Sequence, residues 1–353
     1  MRYQIALNFE DGVTRFIECG PEETVADASY RARINIPMDC RDGVCGTCKG
    51  FCESGQYDGG DYIEDAMTDE EAEEGYVLTC QMRPKSNCVI RIAATSDVCK
   101  TGVVAHSGRI CAIERPSDTI VGFSVALDNR EALSFLPGQY VNVLVPGTDQ
   151  KRSYSFSSAP HVPEVSFVLR NTTTSVLPNF LRTEGALGSP IEFTGPFGSF
   201  YLRQIKRPLL LLAGGTGIAP FLAMVEAAVN YGGSGVPVHL IYGVNTDADL
   251  VAIDKLEHGA KQLPNFTFSC CVVDEQSKQP RKGYVTRYIE SRHLNGGDVD
   301  VYLCGPPPMV DAVRKYFSDQ GVEPANFYFE KFSSTGRVVA ISETHAGGRE
   351  IGL

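Results

Sequence analysis

Residues 1–99 begin with two short runs in which apolar and polar positions alternate, separated by the turn residues Asp11 and Gly12. Alternation with a period of two is typical of strands with one buried face, and the pair predicts a β-hairpin. A run with helical spacing follows Thr24, a suitable N-cap. The predicted strands are YQIALNF (3–9), TRFIEC (14–19) and CVIRIA (88–93), and the predicted helix is TVADASYRARI (24–34). This segment is therefore predicted to be a small α+β domain.

From 100 to 205 the chain consists of short strand-like runs with turn residues between them. Regularly spaced short strands predict an antiparallel β-barrel or sandwich. The runs are VGFSVAL (121–127), QYVNVLV (139–145), SYSFS (153–157), VSFVLR (165–170) and PIEFTG (190–195). The stretch 95–107, at the border with the first segment, is predicted to be a linker.

From 206 to 332 strand-like and helix-like runs alternate. This alternation predicts an α/β domain with a doubly wound parallel sheet, which binds ligands at the carboxyl ends of its strands. The strand runs are 208–215, 238–244, 266–273 and 300–306, and the helix runs are 219–231, 250–263, 285–293 and 308–320. Residues 333–353 form a polar tail to which the sequence assigns no role.

The composition is that of a globular protein, because 353 residues with 43% hydrophobic content are enough for two or three packed domains. The N-terminus lacks the basic and apolar regions of a secretory signal, and the longest apolar run, 208–215, is too short to span a bilayer. A cytoplasmic protein without a membrane partner is predicted.

The net charge of −11 is concentrated in the first segment, where residues 1–99 hold nineteen acidic against nine basic side chains. Such a surface disfavours nucleic acid and favours a basic protein partner. The alternative is that acids such as those of 61–75 only solubilise a helix.

Four of the twelve cysteines are closely spaced in a way that predicts a metal site. The spacing is Cys40-x4-Cys45-x2-Cys48, followed after thirty-one residues by Cys80. This is the plant-type [2Fe-2S] arrangement, in which a glycine-rich loop and a distant fourth thiolate hold the cluster. Gly43 and Gly46 would let backbone N–H groups approach its sulfurs. Structural zinc is the alternative, but zinc sites usually contain paired C-x2-C motifs, and one such pair is present.

The neighbouring cysteines fall outside this spacing and are interpreted as buried small apolar residues. They are Cys19, Cys52, Cys88, Cys99 and Cys111.

Two further motifs lie in the middle and last segments. In KRSYSFSS (151–158), Arg152 suits a pyrophosphate, Tyr154 a flat ring and Ser155 a flavin nitrogen, although an ordinary strand with an exposed arginine is the alternative. In LLLLAGGTGIAP (209–220), a strand enters a glycine turn and a helix, the geometry in which N–H groups meet phosphate. VYLCGPPPMV (301–310) brings a second strand end to the same sheet edge.

The order of the motifs R-x-Y-S, G-G-T-G-x-x-P, C-G-P-P-x-M and FYFEKF resembles the ferredoxin–NAD(P)⁺ reductase superfamily, with a plant-type ferredoxin fused in front. The resemblance covers 1–332. N-terminal fusions of this kind are similar to the reductase components of bacterial ring-hydroxylating oxygenases, above all benzoate 1,2-dioxygenase and its toluate and anthranilate relatives.

This resemblance implies a β-grasp ferredoxin domain over 1–99, an FAD-binding β-barrel over 100–205 and an NADH-binding domain over 206–332. Ser155, Cys304 and Glu330 are implied to lie at the reaction centre, with Ser155 near the flavin N5 and Cys304 near the nicotinamide. The implied FAD residues are Arg152, Ser153, Tyr154, Ser155, Leu169, Arg170 and Phe332, and the implied dinucleotide residues are Gly214, Gly215, Thr216, Gly217, Pro220, Cys304, Gly305 and Pro306.

The family often has a serine opening the helix after the second flavin strand, and Pro178 is predicted to take that first helical position here. NADH is favoured over NADPH, because acids in 242–249 and 272–276 would repel a 2′-phosphate, although Lys278 and Arg281 follow.

The implied function is that of an NADH:acceptor oxidoreductase in aromatic hydrocarbon catabolism. It would pass electrons through FAD and the [2Fe-2S] cluster to a Rieske-type terminal oxygenase, docked on the acidic ferredoxin domain. Three alternatives stay open at this point. They are a reductase of a di-iron multicomponent monooxygenase, a redox-sensing or binding protein without turnover, and a reductase acting directly on a deoxysugar or quinone.

Overall fold

The structure is a computed structural model, and it describes residues 2–38, 42–100, 104–172, 175–183, 186–230 and 235–332. Within these residues the strands form one six-stranded and two five-stranded sheets, and a two-stranded ribbon. In the same part of the chain, no helix combines the length and the apolar character that crossing a membrane requires. The predicted tail, 333–353, lies outside the described residues.

The first segment is a mixed sheet with a helix packed on it. Its elements are β1 (Tyr3–Phe9), β2 (Thr14–Cys19), α1 (Val25–Arg31), β3 (Lys49–Ser54), β4 (Tyr57–Asp58), α2 (Asp69–Glu74), β5 (Tyr76–Leu78), β6 (Arg83–Pro84), β7 (Cys88–Ile92) and α3 (Ser96–Lys100). The sheet order is β2-β1-β7-β3-β5, with β1 parallel to β7. Thr24 caps α1 as predicted, since its hydroxyl accepts a hydrogen bond from the Asp27 N–H at 3.2 Å. The run that forms β3 was not predicted, because KGFCES contains few apolar residues.

The middle segment is a nearly closed antiparallel barrel. Its elements are β8 (Val104–Glu114), β9 (Ile120–Leu127), β10 (Tyr140–Leu144), β11 (Lys151–Ser155), β12 (Glu164–Arg170), α4 (Val176–Leu181) and β13 (Pro190–Phe197). The strand order is β11-β10-β13-β8-β9-β12, and a bridge between Phe156 and Phe167 joins its two ends. Phe167 also stacks on Phe123, with ring centroids 5.0 Å apart, inside the barrel. The barrel alternative is confirmed over the sandwich.

The stretch predicted to be a linker, 95–107, contains α3 and the start of β8, and its residues 101–103 lie outside the described residues. The inward positions of β8 include His106 and Gly108, so this strand lacks an apolar signal. One sequence prediction is wrong in this segment. The helix α4 begins at Val176 with Ser175 as its N-cap residue. Pro178 is consequently the third helical residue rather than the first.

The last segment is a parallel sheet covered on both faces. Its elements are β14 (Leu209–Gly214), α5 (Ala219–Asn230), β15 (Val238–Val244), α6 (Ile253–Gln262), β16 (Phe266–Val272), α7 (Ser291–Leu294), β17 (Asp300–Gly305), α8 (Pro307–Gln320) and β18 (Asn326–Lys331). The strand order is β16-β15-β14-β17-β18, all parallel. Leu211 packs into one apolar cluster and Leu212 into another, as a doubly wound sheet requires.

The helix predicted over 285–293 is wrong. A 3-10 turn, Val285–Tyr288, and the four-residue α7 replace it, with an extended backbone at Ile289 between them. Val285 and Ile289 both pack against the sheet, and this packing outweighs the helical pattern.

Candidate redox site

The carboxyl ends of β14 and β17 lie side by side, and two glycines, one that ends β14 and one that follows it, have no space for a side chain. A Cβ atom added to Gly214 would lie 2.4 Å from the Met309 Sδ, and one added to Gly217 would lie 2.3 Å from the Cys304 carbonyl oxygen. Gly215 has a φ of 55°, a left-handed conformation that favours glycine. The turn 214–217 therefore presents bare backbone just before α5, and this cradle fits the phosphates of a dinucleotide.

Three of the predicted reaction-centre residues meet at one carboxylate. The Glu330 Oε2 atom lies 3.2 Å from the Ser155 Oγ and 3.9 Å from the Cys304 Sγ. These residues lie on β18, β11 and β17, so the barrel and the parallel sheet both contribute. Ser155 is 4% exposed and Cys304 is fully buried.

The Cys304 thiol is held neutral at this carboxylate. Burial raises the pKa of Cys304 well above its usual value, and the nearby Glu330 charge raises this pKa further. A neutral thiol can donate to the carboxylate, and the Ser155 hydroxyl donates to the same oxygen.

The predicted flavin residues of β11 lie near this centre but face different surroundings. The Arg152 guanidinium donates to the Gln150 side chain at 2.8 Å. Tyr154 is half-buried, and burial raises the pKa of its hydroxyl to about 12. Ser153 is exposed and its hydroxyl donates to Asn142 on β10 at 2.7 Å.

Three further predicted flavin residues lie at the edges of this region. The Leu169 side chain belongs to the barrel core, so only its backbone is available to a ligand at the barrel surface. The Arg170 side chain is 43% exposed and extends toward the turn at Gly215. Phe332 is half-buried, and its N–H donates to the Gly305 carbonyl at 2.9 Å.

Asp249 is a structural residue that the sequence interpretation missed. It is 2% exposed, and its carboxylate accepts hydrogen bonds from Thr119 of the barrel at 2.8 Å and from Thr246 at 2.9 Å. Asp249 therefore faces inward and does not contribute to the acidic loop that was expected to repel a 2′-phosphate. The spacing T-x-x-D, typical of a capping box, is the sequence signal that could have identified it.

Asp247 is the exposed acid of the loop 242–249. Its carboxylate accepts hydrogen bonds from the Ser277 hydroxyl and from the Lys278 N–H, the latter at 2.9 Å. Asp247 therefore fixes the position of Lys278 at this strand end.

The cysteine loop supplies a second group of buried sulfur atoms. Cys48 and Cys80 lie in one apolar cluster, are 2% and 6% exposed, and are brought together by a hydrogen bond from the Thr79 N–H to the Cys48 carbonyl. Cys45 is half-buried. The fourth predicted ligand, Cys40, lies outside the described residues. Soft thiolates on a loop fit an iron–sulfur cluster.

The glycines of this loop are required by a neighbouring segment, 61–66. A Cβ atom added to Gly43 would lie 2.3 Å from the Asp61 carbonyl oxygen, and one added to Gly46 would lie 2.9 Å from the Ala66 carbonyl oxygen. Both glycines also have positive φ values, 76° and 72°. The segment 61–66 can therefore cover the cysteine loop closely.

The same segment connects the cysteine loop to the reaction centre. The Ile63 N–H donates to the Gly43 carbonyl at 3.2 Å. Two residues later, the Asp65 carbonyl accepts a hydrogen bond from the Lys331 ammonium at 3.2 Å. Because Lys331 follows Glu330 directly on β18, this segment joins the cysteine loop to the strand that carries the Glu330 carboxylate.

The remaining cysteines of the first half of the chain differ in exposure. Cys19, Cys88 and Cys99 are buried, as predicted. Cys52 is half-buried and Cys111 is exposed on β8, so the prediction of burial is wrong for these two.

Three family models match the chain in succession. They are a 2Fe-2S iron-sulfur cluster binding domain at residues 8–85, an oxidoreductase FAD-binding domain at 108–201 and an oxidoreductase NAD-binding domain at 211–315. The first match identifies the cysteine loop's domain as a 2Fe-2S domain and not a zinc site. FAD, NADH and the [2Fe-2S] cluster are therefore the cofactors of this chain.

Similar proteins share the whole arrangement. The chain is 55% identical over 336 residues to the toluate 1,2-dioxygenase electron transfer component of Pseudomonas putida, covering 95% of this chain and 100% of the relative. It is 49% identical over 336 residues to the 2-halobenzoate 1,2-dioxygenase electron transfer component of Burkholderia cepacia, covering 95% and 99%. The crystal structure of an Amycolatopsis cytochrome P450 reductase is 28% identical, with a TM-score of 0.69 over 94% of this chain and 100% of that one. The chain thus belongs to the family of dioxygenase electron transfer components, which are oxidoreductases with 2Fe-2S, FAD-binding and NAD-binding domains.

Proposed function

We propose that this chain is the cytoplasmic reductase of a ring-hydroxylating dioxygenase for benzoate-type aromatic carboxylates, and that it supplies a Rieske-type terminal oxygenase with electrons from NADH. The observation that carries the substrate class is the 55% identity to the toluate 1,2-dioxygenase component over the full length of that relative. When bound, FAD and the [2Fe-2S] cluster convert a two-electron donor into a supply of single electrons. The domain borders proposed for these groups are 1–99, 100–205 and 206–332.

In this proposal the protein's own residues mainly position and shield the reactants. The turn 214–217 holds the dinucleotide phosphates through backbone N–H groups. The Ser155 hydroxyl and the Cys304 thiol fix the Glu330 carboxylate where the barrel meets the parallel sheet. Their burial excludes water from that point. The proposed cluster ligands are Cys40, Cys45, Cys48 and Cys80.

The substrate class is tested by mixing the purified chain with purified terminal oxygenases. With NADH and a benzoate-type dioxygenase, we expect NADH consumption that depends on the aromatic carboxylate and is matched by hydroxylated product. With the hydroxylase of a di-iron monooxygenase, we expect consumption at the background rate. The opposite preference would contradict the proposal, and the absence of turnover with every acceptor would support a sensing role instead.

We further place the docking surface for the oxygenase at a patch beside the cysteine loop. Its centre is apolar, because Val44 and Ile63 are 44% and 45% exposed. Exposed acids surround this centre: Asp42, Asp61 and Glu64. An apolar centre with a charged rim is the usual anatomy of a protein interface, and Val44 belongs to the loop that carries the thiolates.

Neutralising this rim is expected to weaken acceptor binding. For the double variant Asp61→Asn/Glu64→Gln we expect kcat/KM for the oxygenase to fall about tenfold at low salt and less at high salt, because rim charges steer association. The measurement is oxygenase-dependent NADH oxidation as a function of oxygenase and salt concentration.

The matched control is Glu18→Gln/Glu53→Gln, which changes the charge of the same domain by the same amount. Glu18 lies on the edge strand β2 and Glu53 at the far end of β3 from the cysteine loop. Equal effects of the two double variants would mean that only net charge matters and that the patch is not the docking surface.

A further inference from the structure

Arg203, in the connection between β13 and β14, uses all five of its guanidinium N–H groups. Two of them donate to the Glu10 carboxylate at 3.0 and 3.1 Å, and a third donates to the Ala93 carbonyl at 3.2 Å. The other two donate to the carbonyls of Ser199 and Tyr201 at 3.1 and 3.2 Å. Glu10 and Ala93 belong to the ferredoxin segment, whereas Ser199 and Tyr201 follow the last strand of the barrel. The Arg203 side chain therefore joins the ferredoxin segment to the barrel.

Two aromatic rings lie against this guanidinium, and one of them belongs to the parallel-sheet domain. Its central carbon lies 4.2 Å from the ring centre of Tyr201 and 3.9 Å from that of Tyr328 on β18. The Arg203 N–H donates to the Tyr302 hydroxyl on β17 at 3.2 Å. The Tyr201 hydroxyl in turn accepts from the Thr95 N–H at 3.1 Å. The Arg203 side chain is only 12% exposed, so water competes little for its partners.

These contacts end at the reaction centre. Tyr328 precedes Glu330 by two residues on β18, and residues two apart lie on the same face of a strand. Ser199 follows Gly198, where an added Cβ atom would lie 3.8 Å from the Glu330 Oε1 atom. Arg203 therefore holds the ferredoxin segment against the strand and the loop that form the wall around Glu330.

We propose that Arg203 is a positioning residue that fixes the ferredoxin domain relative to the flavin edge, so that passage of electrons to the cluster depends on it and hydride transfer from NADH does not. The inference rests on the proposed roles of Glu330 and the cluster cysteines. NADH loses a hydride and becomes NAD⁺, the two electrons leave singly to two molecules of a one-electron acceptor, and one proton goes to solvent. Arg203 exchanges neither electrons nor protons in this balance.

The test compares Arg203→Lys and Glu10→Gln with the wild-type holoenzyme. Lysine cannot reproduce the planar set of five donors, and glutamine removes the charge from the other partner. We expect cytochrome c to take its electrons from the cluster, and for both variants we expect the rate of its reduction to fall by up to about 100-fold, the effect that a misplacement of about 1 Å can have. The rate of ferricyanide reduction and the KM for NADH should stay unchanged. Amide hydrogen exchange should rise at residues 10–11 and 93–96, which reports the loosened domain contact independently of activity.

Arg207→Lys is the matched control. Arg207 lies four residues further along the same connection, but its ion pairs, at 2.9 Å to Asp298 and 3.1 Å to Asp300, stay within the parallel-sheet domain. This variant should keep both rates and the exchange pattern.

The inference is overturned if cytochrome c reduction stays at the wild-type rate in Glu10→Gln, or if ferricyanide reduction falls in parallel with it. Glu10 lies in a turn after β1 and glutamine has the same size and shape, so this variant keeps the experiment decisive even if Arg203→Lys does not fold. A wild-type protein that passes electrons from NADH neither to cytochrome c nor to the terminal oxygenase would refute the proposed function rather than the role of Arg203.

Discussion

Replacing Cys80 by serine is expected to abolish the reduction of cytochrome c and of the oxygenase while leaving the reduction of ferricyanide by NADH intact. Cys80 is buried next to Cys48, and a serine hydroxyl neither ionises at neutral pH nor offers a soft sulfur ligand. The barrel and the parallel sheet have their own cores, so the flavin and NADH sites should keep their structure. Iron content and low-temperature EPR of the reduced protein, alongside the two acceptor assays, provide the measurement.

Cys88→Ser is the control for this prediction. Cys88 is 2% exposed in the same domain but falls outside the cluster spacing, and carbonyl oxygens of Gln56 and Ser86 can accept a hydrogen bond from a serine there. It should retain its iron and its EPR signal. A Cys80→Ser protein with full iron content and an unchanged signal would remove Cys80 from the ligand set.

Replacing Glu330 by glutamine is expected to slow the reduction of the flavin by NADH about 10- to 100-fold, through misplacement of the groups around it. The carboxylate accepts from both the Ser155 hydroxyl and the Cys304 thiol, whereas an amide presents one acceptor oxygen and one donor nitrogen. Both donors use the Oε2 atom, so glutamine offers them either a neutral oxygen in place of a charged one, which weakens both hydrogen bonds, or an NH2 group, which cannot accept them. Anaerobic stopped-flow absorbance of the flavin after mixing with NADH measures the rate.

The charge removed from Glu330 should also be visible at Cys304. Because burial and the Glu330 carboxylate both raise the pKa of Cys304, the Glu330→Gln change should lower that pKa while the effect of burial stays. The pH dependence of the thiolate's ultraviolet absorbance, taken as the difference between the wild type and Glu330→Gln, reports this shift without requiring a reagent to reach the buried thiol. Glu257→Gln, at an exposed position of α6, is the control and should change neither property. Flavin reduction at the wild-type rate in Glu330→Gln would show that this carboxylate does not position the reactants.

Much of the secondary structure could be predicted because its signal is local. The strands β1 and β2 begin and end where the alternation of apolar and polar residues does. β8 could not be found in this way, since His106 and Gly108 take inward positions that apolar residues usually fill. The run 285–293 has a helical pattern, but contact of Val285 and Ile289 with the sheet imposes another backbone.

The sequence alone determined the three-domain order and its cofactor class, because cysteine spacing and glycine turns bring their chemistry together within a few dozen residues. Only the tertiary structure decided which side chains meet across the domains. Ser155 and Glu330 are 175 residues apart in the chain, and Arg203 and Glu10 are 193 apart. No local pattern specifies such pairs, since packing of the barrel, the parallel sheet and the ferredoxin domain on one another places them within hydrogen-bonding distance. The barrel contact of Asp249 was likewise not predictable from the sequence, where Asp249 reads as an ordinary acidic loop residue. In the structure it is buried, and its carboxylate accepts a hydrogen bond from Thr119 of the barrel.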